Sequence, residues 1–302
     1  MLRINGLRKS YKGFPVLLGL NMSLDKGDVY GFLGTNGCGK TTTMNIICNI
    51  IPKDEGEVAF GTEAIKIGYL PETPALYGYM NSYEYLDFIG ACCEYQGDVK
   101  KRTAEVLEIT GMTHGAKRNI KGYSRGMNQR IGIAAAIYNN PDLIILDEPT
   151  SALDPEGRAE VMEIIRKLAD AGSTIILCTH ILTDVERVAN KVGIMRDGII
   201  KVEGGIREVR ERFGGRNAVN VRLRDFTPEA VTALSSVDVA AQSEANEKTG
   251  VTIYGRDGVS EKELWSKVTA ALAEKDILPE CIEFKRISLE QIYIGVSNGV
   301  LV

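Results

Sequence analysis

A chain of 302 residues, 44% hydrophobic and 25% charged, suits one large domain or a medium domain with a small companion. Its net charge of −4 disfavours general nucleic-acid binding, which needs a basic face. No apolar run approaches the roughly 18 residues needed to cross a bilayer, and Met1-Leu2-Arg3-Ile4-Asn5 opens no signal-peptide hydrophobic region, so a cytoplasmic protein is expected.

In chain order, Val29 to Leu33 reads as a short buried strand that runs through a glycine-rich turn into a helix near Lys40. From about 80 to 140 the pattern is helical, with candidates at Tyr83 to Tyr95, Val99 to Thr110 and Gln129 to Asn139. Leu143 to Leu146 is a second buried strand. A helix follows, with Asp154 as N-cap, Pro155 at its first position, Val161, Ile165 and Leu168 on its apolar face, and Gly172 at its end. Thr174 to Thr179 is another strand, and a further helix starts near Leu182. Strands alternating with helices imply a parallel sheet covered by helices.

Gly214-Gly215 marks an expected boundary. Beyond it Val219, Val221 and Leu223 alternate with polar neighbours, as do Val251 and Ile253. Leu264, Val268, Ala271 and Leu272 make a helical stripe, Ile282 and Phe284 belong to a last strand, and Ser288 with Gln291 forms a capping box. This order fits a small α+β, ferredoxin-like βαββαβ domain. The six cysteines (38, 48, 92, 93, 178 and 281) form no CxxC pair and read as reduced thiols. With only His114 and His180 in the chain, no zinc site is expected.

The strongest chemical signal is Gly34-Thr35-Asn36-Gly37-Cys38-Gly39-Lys40-Thr41, followed by Thr42, which matches the P-loop pattern G-x-x-x-x-G-K-[ST] between a strand and a helix. Glycines let the backbone wrap phosphate oxygens, and amides and the helix N-terminus face the anion. Lys40 supplies positive charge for the outer phosphates, and the Thr41 hydroxyl is placed to bind Mg²⁺. The second signal is Leu143 to Glu148. A buried strand there delivers Asp147, a candidate Mg²⁺ ligand, and Glu148, a candidate general base for water. A guanine-nucleotide switch protein would want Asn-Lys-x-Asp, and Asn190-Lys191-Val192-Gly193 lacks the aspartate.

Between these motifs, Tyr123-Ser124-Arg125-Gly126-Met127-Asn128-Gln129-Arg130 resembles the Leu-Ser-Gly-Gly-Gln signature of ATP-binding-cassette (ABC) proteins. Ser124 and Gly126 keep the second and fourth positions; Tyr123, Arg125 and Met127 depart from the commonest form. The variant resembles ATPase subunits of bacterial drug, peptide-antibiotic and ion exporters. Further matches follow in family order. Ser151-Ala152-Leu153-Asp154 looks like the D-loop, His180 like the switch histidine, and Tyr11 like the aromatic that stacks on adenine. Glu72 stands where the family normally carries a glutamine near Mg²⁺ and the attacking water.

The resemblance implies an α/β P-loop NTPase fold. An ABC cassette with a RecA-like core would span residues 1–213, with a helical subdomain at about 77–140, and an accessory domain would span 214–302. It implies ATP and Mg²⁺ as cofactors and a second cassette, identical or homologous, whose Ser124 and Gly126 close on the first one's nucleotide. It also implies a separate membrane permease met near Glu72 and the aromatics from Tyr77 to Phe88, with the chain peripheral on the inner membrane face. The alternatives are a soluble ABC-type mechanical ATPase of translation or DNA repair, which usually carries paired cassettes or a long coiled coil, and a non-hydrolysing regulatory module, against which Lys40, Asp147 and Glu148 argue.

Overall fold

A computed structural model of the chain describes residues 1–213, 217–246, 250–256, 258–285 and 288–299. The chain divides into two units, Met1–Ile206 with Tyr293–Val302, and Arg207–Ile292. Gly214-Gly215, where the sequence pattern places a boundary, and Ile287 of the closing segment lie outside the described residues.

The first unit opens with β1 (Leu2–Tyr11) and β2 (Phe14–Leu24), an antiparallel pair that turns through Lys12 and Gly13, both at positive φ (49° and 85°). Strand β3 (Val29–Gly34) leads to α1 (Lys40–Ile47), and β4 (Glu55–Phe60) returns to pair with β1 in a sheet ordered β2-β1-β4. Sequence patterning does not announce this sheet. Leu2, Ile4 and Leu7 are all buried, but the register shifts between Ile4 and Leu7, where Gly6 takes a φ of 61°, and that break hides the two-residue period.

After β5 (Ile67–Leu70) come α2 (Ser82–Cys92), α3 (Val99–Ile109) and α4 (Arg125–Ala136), then β6 (Leu143–Asp147), α5 (Pro155–Asp170), β7 (Thr174–Thr179), α6 (Leu182–Val188), β8 (Lys191–Arg196) and β9 (Ile199–Gly205). The second sheet runs β5-β6-β7-β3-β8-β9 and is parallel except for its β8–β9 edge. Every residue of β3, β6 and β7 is buried, which is why these strands read as unbroken apolar runs.

Helix starts follow side-chain caps. Asn81 and Glu84 form a reciprocal box on α2, Asp98 caps α3, Ser124 caps α4, and Asp154 caps α5 with Pro155 in its first turn. Helix α4 begins four residues before the Gln129 read from apolar spacing, because Arg125 to Asn128 carries no apolar period and only the cap marks it. Helix α5 buries Val161, Ile165 and Leu168, each contributing about 1.5–3 kcal/mol. Among the described residues, the helical stretch between β5 and β6 holds no strand, only an isolated antiparallel bridge, Asn81 to Asn119.

The second unit starts within α7 (Ile206–Phe213). Its core elements are β10 (Ala218–Leu223), α8 (Pro228–Ser235), β11 (Ala240–Asn246), β12 (Gly250–Gly255), α9 (Glu261–Glu274) and β13 (Pro279–Phe284), a βαββαβ order in one antiparallel sheet, β11-β12-β10-β13. Leu264, Val268 and Leu272 of α9 are buried, and the Trp265 and Phe284 rings lie 4.8 Å apart. Helix α10 (Leu289–Ser297) is started by Ser288 and Gln291, each side chain accepting from the other's backbone N–H at 3.1 Å. Its last residues belong to the first unit, where Arg196 Nη1 donates to Val296 O at 2.7 Å. All six cysteines are free.

The closest backbone approach in the parallel sheet is at Gly68, where an added Cβ would lie 2.0 Å from the carbonyl oxygen of Ala136. Gly68→Ala is expected to destabilise the chain by about 1–3 kcal/mol, since neither backbone can yield cheaply. Thermal and urea unfolding of the two proteins checks this.

Candidate functional site

Four strand ends and one helix start build a cleft of about 410 Å³ at the carboxyl edge of the parallel sheet. From β3 the chain turns through Gly37 and Gly39, at φ 80° and 112°, into α1. Gly39 occupies the N-cap position of α1 and offers no side chain to its first-turn amides, which helix geometry leaves unpaired and pointed at the cleft. A Cβ on Gly39 would approach only the ends of the Leu17 and Met195 side chains, to 2.8 Å, so it is the backbone angle that calls for glycine there.

Lys40 is 6% exposed, and its ammonium donates to the carbonyls of Gly34 (2.8 Å) and Thr35 (3.4 Å). It lies 3.9 Å from Glu148 Oε1. Thr41 Oγ1 donates to Asp147 Oδ2 at 2.8 Å, joining the loop to the end of β6 across the cleft floor. Glu148 follows with a φ of 49°, a left-handed angle that a non-glycine residue holds only when its surroundings enforce it. The enforcement is visible: its N–H donates to Cys178 O of β7 at 2.8 Å.

Glu148 Oε2 is met by His180 Nδ1 at 2.9 Å and by the Thr179 hydroxyl at 3.4 Å. A carboxylate can only accept, so Nδ1 carries the hydrogen in that bond. The His180 side chain is 47% exposed whereas that of Glu148 is 9%, so the imidazole reaches the cleft from its rim. Beneath them, burial and the nearby Asp147 carboxylate push the Cys178 thiol well above its usual range, and burial pushes Cys48 up to about 12. Both thiols stay protonated and inert at neutral pH.

The cleft thus unites residues that sequence reasoning singled out in separate motifs: Asn36, Gly37, Gly39, Lys40, Thr41, Thr42, Glu72, Asp147, Glu148 and His180 all line it. Gly34, Thr35 and Cys38 shape the loop without lining the cleft; Cys38 is buried, and burial raises its thiol. Tyr11 is 45% exposed on the β1–β2 hairpin and does not line the cleft, although Val16 of the same hairpin does. Ser124 and Gly126 also lie outside it. Ser124 is exposed at the start of α4, accepting from Met127 N at 3.2 Å.

Several supporting residues escaped the sequence reading. Asp184, 1% exposed, accepts from Thr150 Oγ1 (2.6 Å) and from Arg158 Nε and Nη2 (2.9 and 2.7 Å). It ties the turn after Glu148 and the start of α5 to the helix that follows His180. Gln129 of α4 is buried, and its Nε2 donates to Glu72 O at 3.2 Å. Spacing alone marks none of these, because each acts across elements distant in sequence; only the approach of the folded strands pairs them.

Comparison with known proteins agrees with this geometry. The sequence profile of the family described as "ABC transporter" matches residues 17–151. The chain is 31% identical over 314 aligned residues to the linearmycin resistance ATP-binding protein LnrL of Bacillus subtilis (strain 168), covering 100% of this chain and 99% of that protein. It is 36% identical over 223 residues to the bacitracin transport ATP-binding protein BcrA of Enterococcus faecalis, covering 70% of this chain and 71% of that protein. Among solved structures, the dimeric MJ0796, a bacterial ABC transporter cassette, superposes with a TM-score of 0.62 at 26% identity, covering 68% of this chain and 99% of that one. The same cassette is known in a post-hydrolysis dimeric state bound to ADP and Pi. A P-loop, an acid pair and a histidine at one sheet edge, in a chain that matches such a protein from end to end, place this chain in the ABC transporter family as an ATP-binding, ATP-hydrolysing subunit.

Proposed function

We propose that this ATPase powers the export of a peptide-like or antibiotic-like molecule through a separate membrane permease, by ATP-driven closure of two cassettes. The observation that carries the mechanism is a division of labour. Lys40, Thr41, Asp147, Glu148 and His180 share one cleft, whereas Ser124 heads a helix elsewhere on the surface, with first-turn amides and no nucleotide of its own. A second cassette, identical or homologous, supplies the matching half. Relatives named for linearmycin resistance and bacitracin transport support the cargo class. A separate permease is supported by the absence, among the described residues, of any helix long and apolar enough to cross a membrane. The exposed rings of Tyr77, Tyr79, Tyr83 and Phe88 offer the permease an apolar face.

Within the cleft, Lys40 and the first-turn amides of α1 hold the outer phosphates. Glu148 takes a proton from the attacking water, whose oxygen bonds to the γ-phosphorus as the bond to the β–γ bridging oxygen breaks, leaving ADP and phosphate. His180 orients Glu148 and reaches the γ-phosphate from the rim. Tyr11, exposed on the hairpin whose Val16 enters the cleft, stacks on adenine.

The residues present also fit Mg²⁺. Asp147 Oδ1 is buried without a hydrogen-bond partner, beside the Thr41 hydroxyl, and Glu72 faces the same cleft. Among the described residues no cluster of three or more acids, histidines or cysteines forms a cage of its own, consistent with a cation shared between one or two carboxylates and substrate phosphates. When bound, the ion neutralises charge on the phosphate oxygens.

Glu148→Gln is expected to lower ATP turnover by at least about a hundredfold while leaving ATP binding intact, because only the base is lost. With Mg·ATP the variant should accumulate as a dimer; sedimentation that shows monomer at saturating nucleotide would refute the two-cassette reading. Lys40→Ala is expected to weaken nucleotide binding roughly ten- to a hundredfold, the loss of charge-assisted bonds at a buried site. Titration with a fluorescent ATP analogue measures it.

A further inference from the structure

Tyr123 occupies the signature position where the family most often has leucine, and its ring is 9% exposed. A buried leucine needs only packing, whereas a buried phenol needs a partner for its hydroxyl. Two are present. Tyr123 Oη lies 2.7 Å from Ser82 Oγ and donates to Gly115 O at 3.2 Å. Having only one hydrogen, it accepts from Ser82, so the direction of both bonds is fixed. Ser82 is fully buried at the first turn of α2.

The backbone around this bridge is laced together. Ile120 N donates to Met80 O (2.8 Å), Lys121 N to Gly78 O (3.0 Å) and Ser82 N to Ala116 O (3.0 Å), flanking the Asn81–Asn119 bridge. The segment carrying the exposed aromatics therefore forms a short ladder with the segment that leads into the signature. The ladder stops at Lys121. From there a single 3₁₀ turn, Ile120–Gly122, and two extended residues, Tyr123 (φ −81°, ψ 146°) and Ser124 (φ −68°, ψ 166°), carry the chain to α4. The connector's own backbone bonds are local, Tyr123 N to Ile120 O (2.9 Å) and Gly122 N to Asn119 O (3.0 Å), so a tie to α2 has to come from a side chain, and about 1 Å of displacement at a reacting group is costly.

We propose that Tyr123 is a positioning residue: its hydroxyl, clamped between Ser82 and Gly115, fixes where the signature serine stands relative to the aromatic-bearing segment, so that the two move as one body. This rests on the reading above in which Ser124 meets the nucleotide of the opposing cassette. A leucine at this position would fill the space and keep the local backbone bond of Tyr123 N to Ile120 O, but would lose the side-chain tie to α2.

The test uses the 302-residue chain in the Glu148→Gln background, with Mg·ATP as the probe. Tyr123→Phe keeps the ring and removes the hydroxyl. The dimer dissociation constant from sedimentation is expected to rise roughly two- to tenfold, the range of one lost hydrogen bond, while the affinity of the monomer for a fluorescent ATP analogue stays unchanged. Ser82→Ala should shift the dimer constant in the same direction, and the double variant should fall short of the sum of the two, because both act through one bridge. In the otherwise native chain, Tyr123→Phe should lower kcat with little change in KM. Unchanged dimer affinity and kcat in both single variants, or additive effects in the double variant, would overturn the proposal. So would a loss of monomer nucleotide affinity parallel to the dimer effect, which marks general weakening of the fold. A parent Glu148→Gln protein that never dimerises would instead remove the two-cassette reading, and this proposal with it.

Discussion

The site depends on one backbone event: the chain leaves β6 after Asp147 and places Glu148 in a left-handed conformation, with its N–H held by the Cys178 carbonyl of the neighbouring strand. Strand β6 is buried along its whole length, so its two acids emerge at one defined point of the sheet edge. The hydrogen bond to β7 links that point to the strand whose end carries Thr179 and His180. A flatter turn would send the Glu148 carboxylate away from both His180 and Lys40. The strain, about 1–3 kcal/mol for such a residue, is held by a sheet with three wholly buried strands.

From that point the other functional elements are tied in by single, well-placed contacts. The Thr41 hydroxyl binds Asp147, so the loop cannot drift from the acid pair. Asp184 gathers Thr150 and Arg158, so the turn after Glu148, α5 and α6 share one anchor. Gln129 joins α4 to the backbone of Glu72, making the signature helix a neighbour of the cleft wall even though Ser124 itself lies outside the cleft. Each tie crosses between elements distant in sequence, so the cleft and the helices that frame it are joined by side-chain contacts as well as by the sheet.

How much of this was legible depends on whether a signal is local. The P-loop and the acid pair were readable because phosphate chemistry demands particular residues at short spacing beside apolar strands, whereas His180 was marked only by its place in the family resemblance. The start of α5 was readable from Asp154-Pro155, since a cap is a local interaction. The β2-β1-β4 sheet was not, because its register slips at Gly6 and its third strand joins from across α1. The Asp184 anchor was not, because an aspartate in the first turn of a helix reads as an ordinary dipole partner until Thr150 and Arg158 are folded against it. The division of the chain at Arg207 rather than near Gly214 follows from α7, a polar helix with no sequence mark of its allegiance.

Glu72 sharpens the electrostatics of the whole arrangement. In place of a neutral amide it brings a third carboxylate to a cleft already lined by Asp147 and Glu148, against one ammonium, Lys40, and one imidazole at the rim. A bare polyphosphate entering such a cleft would meet more negative than positive charge, and the amides of α1 supply only a partial counterweight, near half an elementary charge. Under the proposed function, the balance would close when the nucleotide arrives already paired with a divalent cation, for which the acids would serve as ligands. Asp147 has Oδ2 committed to Thr41 and Oδ1 buried without a hydrogen-bond partner, the arrangement the proposed cation would complete. Under the proposed function, this acid-rich wall would favour the metal complex of the nucleotide over the free anion.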